Sequence, residues 1–452
     1  MMRPLPLALL ATLLLPAQQV DFRDTINRNA HLPKLAVPDF RGDSRTQALA
    51  ATFNQTLWND LDDSAFFSLA PKTNYPLTVP QQPGDFRTPD FEAAQSSGGG
   101  GLWTQDWSHS PTGVDYLAGG YLVAQTGSFY LRGWLADVSR PAAATMLDKP
   151  YREALDVAGA RTAAHKFAAD ILRKFGATPL LGSHIYFVRE TTPAPDRRTE
   201  IWMMDYDGAN ARQITHCGDN CTQPAVSPDG SKLACVRVGI HAGIEMYSLD
   251  TGRQLPFANG AGSPTVAAPS FSPDGKQLLF SQYDGHTTQI WTTNLGGSHP
   301  QRLTSGTADN TEPKLNPKTG AEIAFTSGRT GHAQLYLMGS DGSNVEHLAG
   351  SLGESTNPSW HPSGQVVAFA GTKGAGTAAW NIFRLTVGRD DLLQLTHDAG
   401  DNENPSWAPD GVHLIFKSTR TGTPQLWTML ADGTRARQIT HEGRNSTPVW
   451  GP

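Results

Sequence analysis

With 452 residues, the chain exceeds what one ordinary core holds and points to two or three domains. Its 45 glycines, 32 prolines and 17% charged residues favour turn-rich β structure over a helical bundle or disorder. A formal net charge of −6 lacks the basic footprint of a nucleic-acid binder.

Taken in chain order, the first segment is a leader. Met1–Ala17 has one positive charge at Arg3 and an apolar run from Leu5 to Leu15, then a small residue before Gln18. That layout is a secretory signal peptide, too short for a stable membrane anchor. No cysteine follows the run to take a lipid, and no later stretch is apolar enough to cross a bilayer. The expected mature protein is exported and soluble, in the periplasm, with no membrane insertion.

Residues 18–178 mix strand and helix patterns and do not repeat. Lys34–Phe40 reads as a strand. Thr46–Leu61 reads as a helix, with Leu49, Phe53 and Leu57 on one face and Asp43 and Ser44 as candidate caps. Residues 76–111, rich in Pro, Gly and Gln with four glycines at 98–101, are expected to form a long surface loop. The glycine run follows no strand and opens no helix, so it is not a phosphate cradle. Tyr116–Val138 predicts two strands around a turn at Gln125–Ser128. Glu153–Lys174 predicts a helix with Ala160, Ala164, Phe167 and Ile171 inward, stopped at Gly176. Together these form a small α/β domain.

From His184 to Pro452 the sequence repeats. Ser227-Pro-Asp-Gly230 recurs as Ser272–Gly275 and as Ala408-Pro-Asp-Gly411, with weaker copies at Asn316–Gly320 and His361–Gly364. Pro presets the first corner of such a turn, Asp bonds its own backbone, and Gly takes the positive φ. A strand opening on proline precedes each turn (Pro224, Pro269, Pro313, Pro358, Pro405), and Pro448 opens the last strand. A second strand ends on Phe187, Cys235, Phe280, Phe325, Phe369 and Phe416. A third carries Trp202, Tyr247, Trp291, Tyr336, Phe383 and Trp427, spaced 45, 44, 45, 47 and 44 residues apart. Four short strands per period of this length define a propeller blade, and six aromatics mean six blades. The first unit lacks an inner strand and Thr447–Pro452 supplies one, so the two ends complete one blade and close the ring. The expected fold is an all-β six-bladed propeller over 184–452 (WD40-like repeats, closed by the C-terminal strand) preceded by the small α/β domain.

Chemistry is sparse. No serine has glycine at both −2 and +2, and no residues after the last propeller strand remain for a hydrolase domain, so a peptidase is not expected. Most histidines fall in inter-strand turns (His216, His286, His299, His332, His397, His441), without metal-ligand clustering. Cys217 and Cys221, four apart in a polar loop, suit a small disulfide in an oxidising compartment, while a metal would need more ligands than the adjacent His216. Cys235 stands where other repeats have phenylalanine and reads as core. No cofactor or metal is expected. Residues preceding the inner strands (Gln223, Ala268, Glu312, Asn357, Asn404, Thr447) ring one mouth of the channel, mostly polar and uncharged, and suit recognition better than acid–base chemistry.

The combination resembles the TolB family along nearly all of the mature chain. Arg161-x-x-x-His165-x-x-x-Ala169-Asp170 resembles the family's last helix before the propeller, Tyr206-Asp-Gly208 with Gln213-Ile-Thr215 its first blade, and Asn310-Thr-Glu-Pro313 and Ala268–Gly275 two stretches at its mouth. The resemblance implies a non-catalytic, monomeric periplasmic scaffold of the Tol–Pal system, supporting outer-membrane integrity and division. It implies Pal binding at Ala268, Thr311 and Glu312, with Thr265, Asn357 and Asn404 alongside. It also implies TolA binding by the mature N-terminus, here Val20–Asn29 with Val20, Phe22, Thr25 and Ile26 as an alternating run that can add to a sheet edge. The rival expectation is a stand-alone secreted propeller enzyme or carbohydrate-binding protein.

Overall fold

A computed structural model describes residues 32–87, 100–140, 142–192, 197–239, 242–258, 265–349, 352–374, 379–397 and 400–452. The expected leader and the segment holding Val20, Phe22, Thr25 and Ile26 lie outside the described residues. Among the described residues no helix is long and apolar enough to cross a membrane.

The first strand, β1, is Lys34–Ala36, and β2 is Arg41–Gly42. The strand expected to reach Phe40 stops early because Pro38 has no N–H to give, and the Val37 N–H turns to the Tyr75 hydroxyl (3.0 Å). Helix α1, Gln47–Asp63, starts where Asp43 Oδ1 takes the Thr46 N–H at 2.9 Å. The N-cap residue is Thr46, without a side-chain cap bond, so neither expected cap, Asp43 or Ser44, holds that position; Asp43 instead fixes the turn leading into the helix. Strand β3 is Ser68–Leu69, and helix α2 is the single turn Thr104–Ser108. Strands β4 (Tyr116–Gln125) and β5 (Ser128–Asp137) form the expected hairpin, with Thr126 and Gly127 both at positive φ as a tight two-residue turn needs. Strand β6, Ala144–Ala154, follows, and helix α3 is Val157–Lys174. The helix expected to begin at Glu153 starts later because Glu153 and Ala154 belong to β6 and Asp156 caps the helix by accepting the Gly159 N–H (2.7 Å).

The sheet runs β3-β1-β4-β5-β6, with β2 beside β4. Helices α1 and α3 bury Phe53, Leu57, Phe167 and Ile171 against one face. Gly133 of β5 permits this approach, since a Cβ there would sit 2.8 Å from the Phe167 ring. The opposite face is covered by the stretch the sequence assigned to a surface loop. Trp107 and Trp134 are fully buried there with Leu117 and Val138, and their indole N–H groups donate to the carbonyls of Gly101 (2.9 Å) and Gln81 (3.0 Å). Strands β4 and β5 are apolar on both faces, so both need cover.

The propeller has six four-stranded blades. The first is closed from both ends: Asn445–Gly451 pairs antiparallel with His184–Thr192, placing Trp450 opposite Ile185. Neighbouring blades pack through second- and third-strand side chains. Phe187 lies opposite Trp202, Phe280 opposite Trp291, Phe325 opposite Tyr336, Phe369 opposite Phe383, and Phe416 opposite Trp427. The second blade departs from this pattern. Cys235 faces Glu245, and Tyr247, which the spacing placed in the aromatic slot, pairs with Leu233.

The C-terminal end of α1 docks on the propeller by charge. A helix C-terminus is a negative pole, and Asp60, Asp62 and Asp63 add to it. His413 Nε2 reaches the Asp63 carbonyl (2.8 Å), Arg437 pairs with the Asp63 carboxylate (2.8 Å), and Arg435 holds the Asp62 carbonyl. Tyr206 donates its hydroxyl to Asp60 (2.9 Å), whose other oxygen meets His165 of α3 at 2.6 Å. Burial, with Asp60 and Asp207 nearby, pushes the Tyr206 hydroxyl pKa far up, so the phenol stays a donor.

Candidate functional site

Each inner strand contains an irregularity of the same kind. Pairing with the second strand skips two residues in every blade, as between Thr311 and Lys314 or Thr356 and Ser359. The skipped pair is a residue followed by proline. Gln223, Ala268, Glu312, Asn357, Asn404 and Thr447 occupy this place with φ of 50°, 49°, 57°, 55°, 54° and 46°. Non-glycine residues pay conformational energy for left-handed backbone, of order 1–3 kcal/mol each. Glycine would relieve it, yet all six positions carry a Cβ.

Their side chains lace the ring. The Gln223 Oε1 accepts the Ala268 N–H at 2.8 Å. Glu312 takes the Asn357 N–H on one oxygen (2.7 Å) and the Asn357 amide on the other (2.5 Å), and Thr326 adds its hydroxyl at 2.8 Å. Asn357 Oδ1 in turn lies 3.4 Å from the Asn404 nitrogen. Ala268 has no side chain to continue the pattern, so the Glu312 N–H goes to Ser281 (3.2 Å). The strained backbone thus presents side chains that tie blade to blade.

The ring surrounds a cavity of about 270 Å³ at the channel, bordered by Gln223, Ala268, Glu312, Asn357, Asn404 and Thr447 and, deeper, by Lys314 and Trp360. Of the expected site residues, Ala268, Glu312, Asn357 and Asn404 line this cavity. Thr265 and Thr311 do not; Thr265 is exposed just ahead of its inner strand, and Thr311 pairs across to Thr326. The cavity wall carries one carboxylate and one ammonium.

That ammonium, Lys314, escaped the sequence reading. Burial lowers its pKa, with nearby Glu312 acting against the shift. The signal was present: Pro313-Lys-Leu315 stands where three other inner strands read Pro-Ser-aromatic, after Pro269, Pro358 and Pro405, and the remaining two Pro-Ala-Val and Pro-Val-Trp. In two of those blades the serine accepts the next blade's N–H: Ser359 from Trp407 (3.2 Å) and Ser406 from Trp450 (3.0 Å). Lys314 cannot accept through its side chain, and its carbonyl receives the Trp360 indole N–H (2.8 Å) instead.

The cysteines lie away from the mouth. Cys217 and Cys221 are buried, and the structure joins them sulfur to sulfur; Cys221 belongs to the inner strand Asn220–Val226 rather than to a loop. Cys235 is fully buried, and burial with Glu245 and Glu200 nearby pushes its thiol pKa well up.

A model of the TolB β-propeller domain matches residues 176–452, more than half of the chain. The chain belongs to the TolB propeller family. Two curated members are a TolB homolog of Chlorobium luteolum, 27% identical over 245 residues, and the Tol-Pal system protein TolB of Bordetella pertussis, 28% identical over 274 residues. These matches take in 54% and 57% of this chain and span 53% and 58% of those TolB proteins. The crystal structure of TolB from Acinetobacter baumannii superposes with a TM-score of 0.74 at 23% identity, covering 93% of this chain and 96% of that one. The TolB fold therefore extends to the α/β layer as well as the propeller.

Proposed function

We propose that this chain works as the TolB component of a Tol–Pal system: an exported, non-catalytic platform in the periplasm that binds a Pal-type lipoprotein through the propeller mouth. In this reading it supports outer-membrane integrity and envelope constriction, and the segment Val20–Asn29 adds as a strand to a TolA-type partner. The observation that carries the reading is the strained ring. Six non-glycine residues at positive φ hold side chains at one channel mouth, a costly arrangement where glycine would be cheaper. Such strain concentrates at ligand clamps, and amides with a single carboxylate recognise peptide groups by hydrogen bonding.

Titration calorimetry against the soluble domain of the same bacterium's Pal tests this. Glu312→Lys reverses the one charge of the ring and is expected to weaken binding tenfold or more, about 1.4 kcal/mol. Glu312→Gln keeps the shape and one acceptor oxygen and is expected to fall between. Unchanged affinity in Glu312→Lys, with a native near-ultraviolet spectrum, refutes the site.

A further inference from the structure

Three positions that seal the other blades are chemically replaced at one junction. Two residues before the third-strand aromatic, four blades place an amide: Gln289, Gln334, Asn381 and Gln425. The first blade has Glu200 there. Near the start of the inner strand, the following blade supplies a partner: Asn310 bonds Gln289 (3.0 Å), Ser355 bonds Gln334 (3.1 Å) and Asn445 bonds Gln425 (2.9 Å). Facing Glu200, that position is Cys221. The third replacement is the aromatic pair itself, which in the second blade becomes Cys235 opposite Glu245. Cys217 joins from the connecting segment.

The result is a buried set of soft and hard metal-binding atoms. One oxygen of Glu200 and the sulfurs of Cys217 and Cys221 lie within 4.8 Å of one another, and so do Cys221, Cys235 and Glu245. The two triads share Cys221. Glu245 is already neutralised by Arg237 (3.0 Å) and hydrogen-bonded by Tyr247 (2.5 Å). Glu200 is different. Its Oε2 accepts the Thr215 hydroxyl (2.5 Å) and the Cys217 N–H (3.2 Å), and among the described residues no Lys, Arg or His pairs with it. Joined to Cys221, the Cys217 sulfur has no proton to offer, yet it lies 3.1 Å from that same oxygen. Among the described residues this buried carboxyl has no cationic side chain beside it.

We propose that Glu200, Cys217 and Cys221, which lie within 4.8 Å of one another, form a site for a divalent ion of the zinc class, with Cys235, in contact with Cys221, drawn in as the fourth ligand; the site is open when Cys217 and Cys221 are thiols and closed when they are joined. Three thiolates and a carboxylate suit a borderline-soft, tetrahedral ion. Zinc–sulfur bonds of about 2.3 Å put tetrahedral sulfurs about 3.8 Å apart. Cys221 and Cys235 already stand 3.8 Å apart. The ion supplies the positive charge that Glu200 lacks. Opening the joined pair takes two electrons and two protons, delivered by a dithiol reductant that is itself oxidised to a disulfide. Binding then displaces the thiol protons to solvent and changes no oxidation state. None of these four residues lines the mouth cavity, so zinc binding is read out separately from partner binding.

The test uses the full mature chain, reduced under anaerobic conditions, freed of reductant, and titrated with zinc against a chromophoric chelator. Cobalt(II) serves as the spectroscopic probe. The expected result is one equivalent of zinc bound by the reduced protein and none by the oxidised protein, with thiolate-to-cobalt charge transfer and tetrahedral d–d bands. Glu200→Gln restores the amide of the other blades, so it should fold, and it should weaken binding roughly tenfold or more. Cys217→Ser should weaken the charge-transfer band. No zinc on the reduced protein overturns the proposal. Equal affinity and identical cobalt spectra in both variants and the parent overturn it equally.

Discussion

Replacing Trp450 by alanine tests whether the ring is held shut by its terminal strand. Trp450 is 7% exposed and packs with Ile185, Phe187, Met204, Ile415 and Leu426, side chains from the first and last blades. Its indole N–H donates to Ser183 Oγ at 3.0 Å and its backbone N–H to Ser406 Oγ at 3.0 Å. A buried tryptophan truncated to alanine costs about 3–5 kcal/mol, and the lost indole hydrogen bond about 1 more. The backbone bond to Ser406 survives. A loss of about 4–6 kcal/mol is a large part of the ~5–15 kcal/mol that holds an ordinary domain. Urea unfolding followed by near-ultraviolet circular dichroism reads it as a lowered midpoint. Trp450→Phe, which keeps the packing and drops the N–H, should cost about 1–2 kcal/mol. If Trp450→Ala costs under about 1 kcal/mol, the closing strand is not what seals the ring.

Two further outcomes follow from the same structure. Asp156→Ala removes the cap of α3 and should lower stability by about 1 kcal/mol, read in the same urea titration, while Asp156→Asn should retain most of it. The docking of α1 on the propeller should weaken in alkali. Burial disfavours the His413 cation, but Asp410 and Asp63 outweigh it and raise its pKa, so its contribution is whole below the ordinary histidine value of about 6.5 and is lost as pH rises through the raised value. Asp63, raised by burial against Arg437 and His413, changes in the same direction, whereas Asp410, held low by His413 and backbone N–H groups against burial, loses its share only in acid. Melting temperatures of the parent should therefore drop as pH rises above about 6.5 through the raised value. In His413→Asn that limb should flatten; parallel profiles would remove His413 as the cause.

What the sequence discloses depends on whether the signal is local. Ser-Pro-Asp-Gly turns are self-contained chemistry, with Ser227 and Ser231 bonding Asp229 inside the turn, so blades and their number are legible without any long-range contact. Strand β6 was not legible because it is largely exposed and contains Pro150, leaving no alternation to read. Trp103 and Trp107 read as loop in the sequence because nothing nearby shows that β4 and β5 need cover on their second face. The mouth was half legible. The position before each proline is visible, but its positive φ, the reach of Glu312 to Asn357, and the half-buried place of Lys314 all require neighbours from another blade.

The second blade shows how a faithful period hides a change of register. Tyr247 keeps the regular spacing from Trp202 and Trp291, yet the distance from Cys235 to Tyr247 is twelve residues where Phe280 to Trp291, Phe325 to Tyr336 and Phe416 to Trp427 are eleven. In a hairpin, an odd slip would turn the side chain to the wrong face. The pairing of Lys232–Val238 with Gly243–Ser248 resolves this by setting Glu245 across from Cys235, ten residues on, and moving the aromatic two pairs further along, opposite Leu233. The polar residue so brought inward needs a partner, which Arg237 and Tyr247 provide. Glu200 enters the same junction from the first blade with hydrogen bonds from Thr215 and the Cys217 N–H but, among the described residues, with no cationic partner. Two glutamates and three cysteines in a single inter-blade seam are therefore a consequence of register and not of sequence proximity, which is why ligands could not be counted from the neighbourhood of Cys217 alone.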